Sequence, residues 1–208
     1  MVKQRILVFA PHPDDDLIGC GGSMAMHLGK GNEVFVIYAT NGDAECQQIL
    51  PNKFTKIRRQ ETLNADRCLG LLSENLFFVN EKPWQLNEER MRFKFLNLVR
   101  KIRPDVCYIP HVADAHLDHQ IVSRAAFEAI NMAPSKWFRQ YGSIAEEPFY
   151  VSIILAYEVW SPLADPNYFE DIAQFSEKKM QALREHKTQA VDKYERAYRW
   201  QVPIKLNM

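Results

Sequence analysis

The chain lacks the features that mark membrane, disulfide-rich and nucleic-acid-binding proteins. No apolar run in its 208 residues approaches the length of a membrane span. Its four cysteines are widely scattered and form no C-x-x-C pair, which disfavours a disulfide framework and a cysteine-rich zinc module. The 26 basic and 26 acidic residues give a formal net charge of zero. We therefore expect no strongly charged surface that would gather nucleic acid.

Internal repeats, low-complexity runs and Gly/Ser linkers are also missing. The length suits one domain with a full core, so we predict a single domain over residues 1–208. The first apolar stretch is followed directly by acidic residues, without a small-residue cleavage site, which indicates a strand and not a signal peptide. Together with the cysteine pattern, this predicts a reduced, cytoplasmic protein.

What the sequence does contain is a regular alternation of strand-like and helix-like segments. Short apolar runs that suit buried strands occur at 5–11, 33–40, 75–80, 105–110 and 150–159. Helical spacing follows them, in a helix that ends at 29–31 and in helices at 56–72, 87–104, 118–133 and 169–190. The alternation predicts an α/β fold, a three-layer sandwich around a mostly parallel, Rossmann-like sheet.

Two polar clusters directly follow predicted strands. The first is "PHPDDD" (11–16), in which three carboxylates follow one imidazole, and the second is "HVADAHLDH" (111–119), with three imidazoles and two carboxylates. Ligands bind parallel sheets outside the carboxyl ends of the strands, so we expect the clusters to meet there. Imidazole and carboxylate without thiolate suit Zn²⁺ best, with Fe²⁺ or Co²⁺ as substitutes. A catalytic zinc needs three protein ligands, which two His and one carboxylate from two loops would supply.

The carboxylate run also has a chemical interpretation. Adjacent carboxylates repel each other, and a divalent cation relieves that repulsion. One carboxylate can then bind the metal while its neighbour takes a proton from the metal-activated water. The sequence thus predicts a hydrolytic zinc site with one ion per chain.

Each cluster alone also has an ordinary structural interpretation. His-Pro-Asp is a common turn sequence, and "HLDH" is a common helix start in which Asp118 is a capping or first-turn acid. "GCGG" fails as a dinucleotide fingerprint, because a pattern that starts at Gly19 needs glycine where Met24 stands. We expect Gly19, Gly21 and Gly22 to permit close backbone packing instead. The two clusters at one sheet edge favour the metal site.

"APHPDDDLIGCGG" and "HVADAHLDH" resemble the two metal motifs of the LmbE-like, or PIG-L, family of zinc-dependent de-N-acetylases. Three further stretches are similar to family motifs, namely "TNGD" (40–43), "IRRQETLNADRCLG" (57–70) and "KMQALREHKTQ" (179–189). The resemblance implies an LmbE-like fold and a hydrolase that removes the acetyl group from an N-acetylated amino sugar or glycoconjugate. It also implies zinc ligands and a general base, which are His12, Asp15 and His119 for the metal and Asp14 for the base.

Further roles follow from the same resemblance. His116 is implied to stabilise the oxyanion or to protonate the leaving amine, and Asp118 to orient an imidazole beside it. We expect nearby Asp114 or Asp118 to raise the pKa of His116. Substrate-binding positions are implied in the three other motifs, at Asp43, Arg58 and His186. Asp16 stands where many relatives carry Glu, and its role is left open.

Two other functions stay open on the sequence alone. A metal-dependent amidase or esterase acting on a non-sugar substrate would use the same ligand set. A sugar- or nucleotide-binding module with a vestigial metal site is the non-enzymatic alternative. The predicted partner is a small N-acetyl sugar or glycoconjugate, with no nucleic acid and no membrane span. The aromatic tail at 194–208 could pack on a second copy of the chain.

Overall fold

Five short strands form a central parallel sheet, in which the three central strands are largely buried. The computed structural model of the protein describes residues 3–43, 51–140 and 147–189. The strands are β1 (Arg5–Ala10), β2 (Glu33–Thr40), β3 (Leu76–Glu81), β4 (Val106–Pro110) and β5 (Ile153–Tyr157). Their order in the sheet is β3-β2-β1-β4-β5, and every neighbouring pair is parallel. The predicted parallel sheet is confirmed.

Helices cover both faces of the sheet, because successive side chains of each strand point to opposite sides. The helices are α1 (Asp15–Gly29), α2 (Pro51–Leu69), α3 (Glu88–Ile102), α4 (Leu117–Met132) and α5 (Ser176–Leu183). Ile6 and Val8 of β1 pack with α1, α2 and α5, whereas Leu7 and Phe9 pack with α3 and α4. The result is the predicted three-layer sandwich. In the described part of the chain, no helix is long and apolar enough to cross a membrane.

The strand order reverses between β1 and β4, which lie side by side in the middle of the sheet. The chain proceeds outward from β1 through β2 to β3, then returns to β4 on the other side of β1. Such a reversal leaves a crevice at the carboxyl ends of the two central strands. Both polar clusters follow these two strands, so the topology brings them to one crevice.

The long helix predicted over 169–190 is wrong. Among the described residues of this range, only Ser176–Leu183 is α-helical, after a single 3₁₀ turn at Ala173–Phe175. Beyond the helix the backbone makes further tight turns, and Thr188 donates to Glu61 of α2 from both its backbone N–H and its hydroxyl. These tertiary contacts override the helical spacing. The aromatic tail at 194–208 lies outside the described residues.

Glycines of α1 allow the helix to approach its neighbours closely, as the sequence predicted. A Cβ added at Gly19 would lie 2.1 Å from the ring of Tyr157, and one at Gly22 would lie 2.4 Å from the side chain of Ile172. The Tyr157 ring cannot easily retreat, because its hydroxyl donates a 2.6 Å hydrogen bond to the carbonyl of Phe9. A side chain at position 19 would therefore force α1 away from β5.

We predict that Gly19→Ala lowers the free energy of unfolding by about 1–3 kcal/mol, as overpacked cores do. Gly29→Ala is the matched control in the same helix, because its Cβ would meet only the edge of Phe175 at 3.3 Å. Thermal unfolding of both variants measures the effect, at about 2–4 °C for each kcal/mol in a chain of this size. Equal melting temperatures for the two variants would contradict the packing argument.

Candidate metal centre

The β1–α1 connection and the start of α4 deliver the side chains of the candidate site. His12 lies in the short connection after β1, and Asp15 begins α1. His119 lies in the first turn of α4, one loop beyond β4. Between His12 and Asp15 the backbone turns sharply, and Asp14 adopts a left-handed φ of 115°. The backbone N–H of His12 donates to Asp15 Oδ2 at 2.8 Å and fixes this turn.

Three potential ligand atoms converge at the crevice. Asp15 Oδ2 lies 2.9 Å from His12 Nδ1 and 3.1 Å from His119 Nε2. The two nitrogens are 3.3 Å apart. Atoms that bind one tetrahedral zinc ion at 2.0–2.2 Å lie roughly 3.3 Å from one another. The predicted set of two imidazoles and one carboxylate therefore has the spacing that a small divalent ion requires.

The electrostatics of these three residues favour positive charge between them. Burial by itself lowers the pKa of both imidazoles, but the Asp15 carboxylate and hydrogen bonds to Asp15, Asp118 and Asp114 outweigh it. The pKa rises to about 9 for His12 and to about 10 for His119. Burial raises the pKa of Asp15, yet the charges of His119 and His12 hold it below its usual range. A cation would satisfy the same negative potential.

A second carboxylate lies behind each imidazole. Asp118 Oδ2 is 3.0 Å from His12 Nε2, and Asp114 Oδ1 is 3.3 Å from His119 Nδ1. Carboxylates placed in this way orient imidazole ligands and increase their basicity. Asp118 thus contacts the imidazole of His12, and its predicted role in orienting an imidazole stays a prediction. The sequence reasoning missed Asp114 as an orienting residue, although its position inside "HVADAHLDH" was a signal.

His116 contributes a third imidazole. Its ligand atom and those of His12 and His119 all lie within 4.8 Å of one another, so a three-imidazole set is the alternative to the one with Asp15. However, His116 caps α4, and its Nδ1 accepts a 3.1 Å hydrogen bond from the backbone N–H of Asp118. The Nδ1 lone pair is thereby occupied, so the neutral ring carries its proton on Nε2. A ring in this form donates a hydrogen bond from Nε2 and does not ligate a metal.

The expectation of a raised pKa at His116 is wrong. Burial lowers its pKa, and the neighbouring charges of His12 and His119 lower it further. The opposing effect of Asp118 is smaller. The sequence showed the carboxylates near His116 but not the two other imidazoles, whose rings lie 4.8 Å from its own.

Asp14 and Arg58 form a buried pair next to the candidate ligands in the chain. Arg58 Nη2 lies 3.2 Å from Asp14 Oδ2 and also donates to the carbonyl of Pro13. The guanidinium is only 2% exposed. Gly42, with a φ of +62°, makes room for it, since a Cβ there would lie 3.0 Å from Arg58 Nη2. Arg58 is thus placed to hold the predicted base, and substrate binding by Arg58 stays a prediction.

Asp16 points away from the imidazoles into the α1–α2 side of the core. The hydroxyl of Tyr38 lies 2.9 Å from Asp16 Oδ2 and 2.8 Å from Asp66 Oδ2. One hydroxyl has one proton to donate, so the second contact requires a proton on a carboxyl. Burial raises the pKa of Asp16 to about 7 and that of Asp66 above its usual range, which keeps this proton bound near neutrality. Asp16 therefore anchors the first turn of α1.

The two remaining residues predicted to bind substrate, Asp43 and His186, differ in their contacts and in their burial. Asp43 accepts a 2.9 Å hydrogen bond from Thr55 of α2, and no described contact joins it to the imidazoles. His186 is wholly buried, and neither of its ring nitrogens has a hydrogen-bond partner among the described residues. Burial, aided by the positive charge of Arg58, lowers the pKa of His186 to about 3. It is therefore a neutral imidazole with both nitrogens available.

The family follows from comparison with known proteins. The PIG-L family model, described as GlcNAc-PI de-N-acetylase, matches residues 7–130, which is more than half of the chain. The chain belongs to the PIG-L family. A diacetylchitobiose deacetylase of Thermococcus kodakarensis is 25% identical over 192 residues, which cover 89% of this chain and 70% of that protein.

Two further members illustrate the PIG-L relationship. A probable N-acetyl-alpha-D-glucosaminyl L-malate deacetylase 2 of Bacillus cereus is 21% identical over 196 residues, covering 90% of this chain and 84% of that protein. The solved N,N′-diacetylchitobiose deacetylase of Pyrococcus horikoshii, in complex with an inhibitor, superimposes with a TM-score of 0.82 at 25% identity. That likeness covers 95% of this chain and 74% of the other. The LmbE-like fold is thus confirmed.

The capping role of His116 can be tested by stability. We predict that His116→Ala lowers the free energy of unfolding by about 1 kcal/mol, because α4 loses its N-cap. His116→Asn should differ from the wild type by only a few tenths of a kcal/mol, since the Asn oxygen can accept the same hydrogen bond. Urea unfolding of both variants measures this. An Asn variant as unstable as the Ala variant would contradict the hydrogen bond from Asp118.

Proposed function

We propose that this chain is a metal-dependent hydrolase that removes the acetyl group from an N-acetylated amino sugar or glycoconjugate. The observation that carries the proposal is the convergence of His12 Nδ1, Asp15 Oδ2 and His119 Nε2 within 3.3 Å at the carboxyl ends of β1 and β4. Membership of the PIG-L family supports the reaction class. The names of the relatives, which act on diacetylchitobiose or on an N-acetylglucosaminyl malate, support an N-acetylglucosamine-containing substrate.

We propose zinc as the ion, one per chain, held by His12, Asp15 and His119. Two imidazoles and one carboxylate are a donor set typical of catalytic zinc, and Fe²⁺ or Co²⁺ can substitute. When bound, the ion acts as a Lewis acid toward a carbonyl oxygen and lowers the pKa of water to about 7. Asp118 and Asp114 orient His12 and His119 from behind, so they are positioning residues in this scheme.

The chain's own groups perform the proton transfers in the proposed reaction. Asp14 accepts the proton of the attacking water, and its ion pair with Arg58 holds the carboxylate in place. His116 donates a hydrogen bond from Nε2 to the acetyl oxygen, where negative charge develops during attack. The neutral form of His116 argued from its capping bond suits this donor role, and makes it a poor source of a proton for the leaving amine. Asp14 can return its proton to that amine.

We retain Arg58, Asp43 and His186 as proposed substrate-binding residues. His186 is wholly buried, so a bound sugar reaches its ring nitrogens only if the residues around it move aside. We also propose that residues 1–208 form one domain that acts in the cytoplasm. The three described cysteines, Cys20, Cys68 and Cys107, are free thiols, as expected in a reducing compartment.

The ligand set predicts which variants lose metal. His12→Ala, Asp15→Ala and His119→Ala should each retain well below one zinc per chain after dialysis. His116→Ala should keep about one, because its ring is a hydrogen-bond donor and not a ligand. Elemental analysis of the four purified proteins gives the ratio. Loss of zinc in His116→Ala, with retention in Asp15→Ala, would favour the three-imidazole set instead.

The base assignment predicts a variant that binds metal without turnover. Asp14→Asn should keep its zinc while its deacetylation rate falls by about 100-fold or more, the usual range for removal of a general base. Acetate release from N-acetylglucosamine and from N,N′-diacetylchitobiose, set against simple acyl esters and amides, measures the activity. Full activity in Asp14→Asn would show that Asp14 is not the general base. Turnover of the esters or non-sugar amides alone would favour the amidase or esterase alternative.

A further inference from the structure

The loop between β3 and α3 places an aromatic side chain on the candidate metal centre. Trp84 lies in this loop, and its indole lies against the imidazole of His116, with the ring centroids 4.2 Å apart and the planes inclined by 33°. Trp84 is nevertheless 59% exposed. One part of the ring therefore covers His116, while the remainder faces solvent beside the site. The roles proposed above do not involve this side chain.

The backbone at Trp84 adopts a conformation that tryptophan rarely takes. Residues Lys82–Gln85 form a tight turn, in which the N–H of Gln85 donates to the carbonyl of Lys82 at 3.2 Å. Pro83 occupies the second position of the turn, and Trp84 the third, with a φ of +63°. A turn with proline second and a positive φ third normally has Gly or Asn at that third position. A large side chain there costs stability, and such outliers cluster at binding and active sites.

One backbone N–H, shared between the two oxygens of a carboxylate, holds this unfavourable turn against the site. The backbone N–H of Trp84 points at the Asp118 carboxylate, 2.9 Å from Oδ2 and 3.1 Å from Oδ1. The same Asp118 oxygen, Oδ2, also contacts His12 Nε2. The main chain of Trp84 is thus bound to Asp118, which in turn contacts His12. The indole itself makes no hydrogen bond to either residue.

We propose that Trp84 is the stacking platform for the sugar ring that carries the acetamido group. This inference rests on the function proposed above and specifies how the sugar is recognised. The groups around the metal centre are charged or polar, so the indole supplies an apolar plane beside them. A pyranose ring has C–H groups on its faces and hydroxyls at its edge, which matches an apolar plane bordered by polar groups. His116 covers one face of the indole, so a sugar stacked on the free face would extend its acetamido arm past the edge of the indole toward Nε2.

The test separates the indole from the backbone of the same residue. Trp84→Asn removes the aromatic plane, while Asn tolerates the positive φ and keeps the N–H that binds Asp118. Trp84→Phe keeps a smaller plane. Trp137→Ala is the matched control, because Trp137 is 79% exposed in the 3₁₀ turn Lys136–Gln140, beyond the opposite end of α4 from His116. Zinc content and melting temperature of each variant show whether the site and fold are intact.

Two measurements give the result. The first is the affinity for N-acetylglucosamine and N,N′-diacetylchitobiose, measured by calorimetry with Asp14→Asn present in every protein to prevent turnover. This affinity should weaken about tenfold or more in Trp84→Asn. It should weaken by no more than about threefold in Trp84→Phe and be unchanged in Trp137→Ala, since aromatic contact energies of about a kcal/mol correspond to such factors. In proteins with Asp14 intact, KM should rise in Trp84→Asn while kcat changes less.

Each other outcome has a distinct meaning. Unchanged sugar affinity in Trp84→Asn, or a fall in kcat or zinc content with KM unchanged, would overturn the platform and leave Trp84 as a support for Asp118 and His116. Absence of binding for both sugars in every protein would overturn it too. Sugar binding that depends on Trp84, but without acetate release in the Asp14-containing protein, would support the platform and contradict the proposed reaction.

Discussion

The contact of one buried carboxylate with two imidazoles is the constraint on which the rest of the site depends. Asp15 lies between His12 and His119, and each of these rings has a further carboxylate behind it. Such a group of charges is unstable without protons or a cation to balance it. The strand order supplies the geometry, because β1 and β4 are neighbours at the point where the sheet reverses direction. Topology and electrostatics together therefore support the proposed metal site at this position.

Three adjacent carboxylates reduce their mutual repulsion by pointing in three directions, although the charges of Asp14 and Asp15 still raise the pKa of Asp16. Asp14 faces the guanidinium of Arg58, Asp15 faces the two imidazoles, and Asp16 faces the hydroxyl of Tyr38. The sharp backbone turn at Asp14, with its positive φ, is what separates the first two. The third is accommodated by a proton, since its pKa is raised to about 7. Each carboxylate of the run thus has a different ionic environment and a different proposed role, as the base, as a metal ligand and as an anchor of α1.

The sequence alone predicts the sheet and the meeting of the two polar clusters. Continuous apolar runs predict the strands, and the rule that ligands bind at strand ends predicts that His12 and His119 meet. Side-chain directions within a loop were not readable. The contact of Asp114 with His119 and the capping bond of His116 depend on side-chain directions within one short segment of the chain. The position of Trp84 depends on a tertiary contact with Asp118, 34 residues away. The prediction of a longer α5 was wrong for a related reason, because the tertiary hydrogen bonds of Thr188 to Glu61 outweigh the local helical spacing.

The proposed metal centre can be tested by anomalous X-ray scattering at the zinc edge, from crystals of the protein grown with zinc. We expect one anomalous peak per chain within about 2.0–2.2 Å of His12 Nδ1, Asp15 Oδ2 and His119 Nε2, with His116 Nε2 outside bonding distance. A peak coordinated by His116 in place of Asp15 would contradict the ligand assignment. Crystals with no peak at the β1–β4 crevice would contradict the metal centre itself.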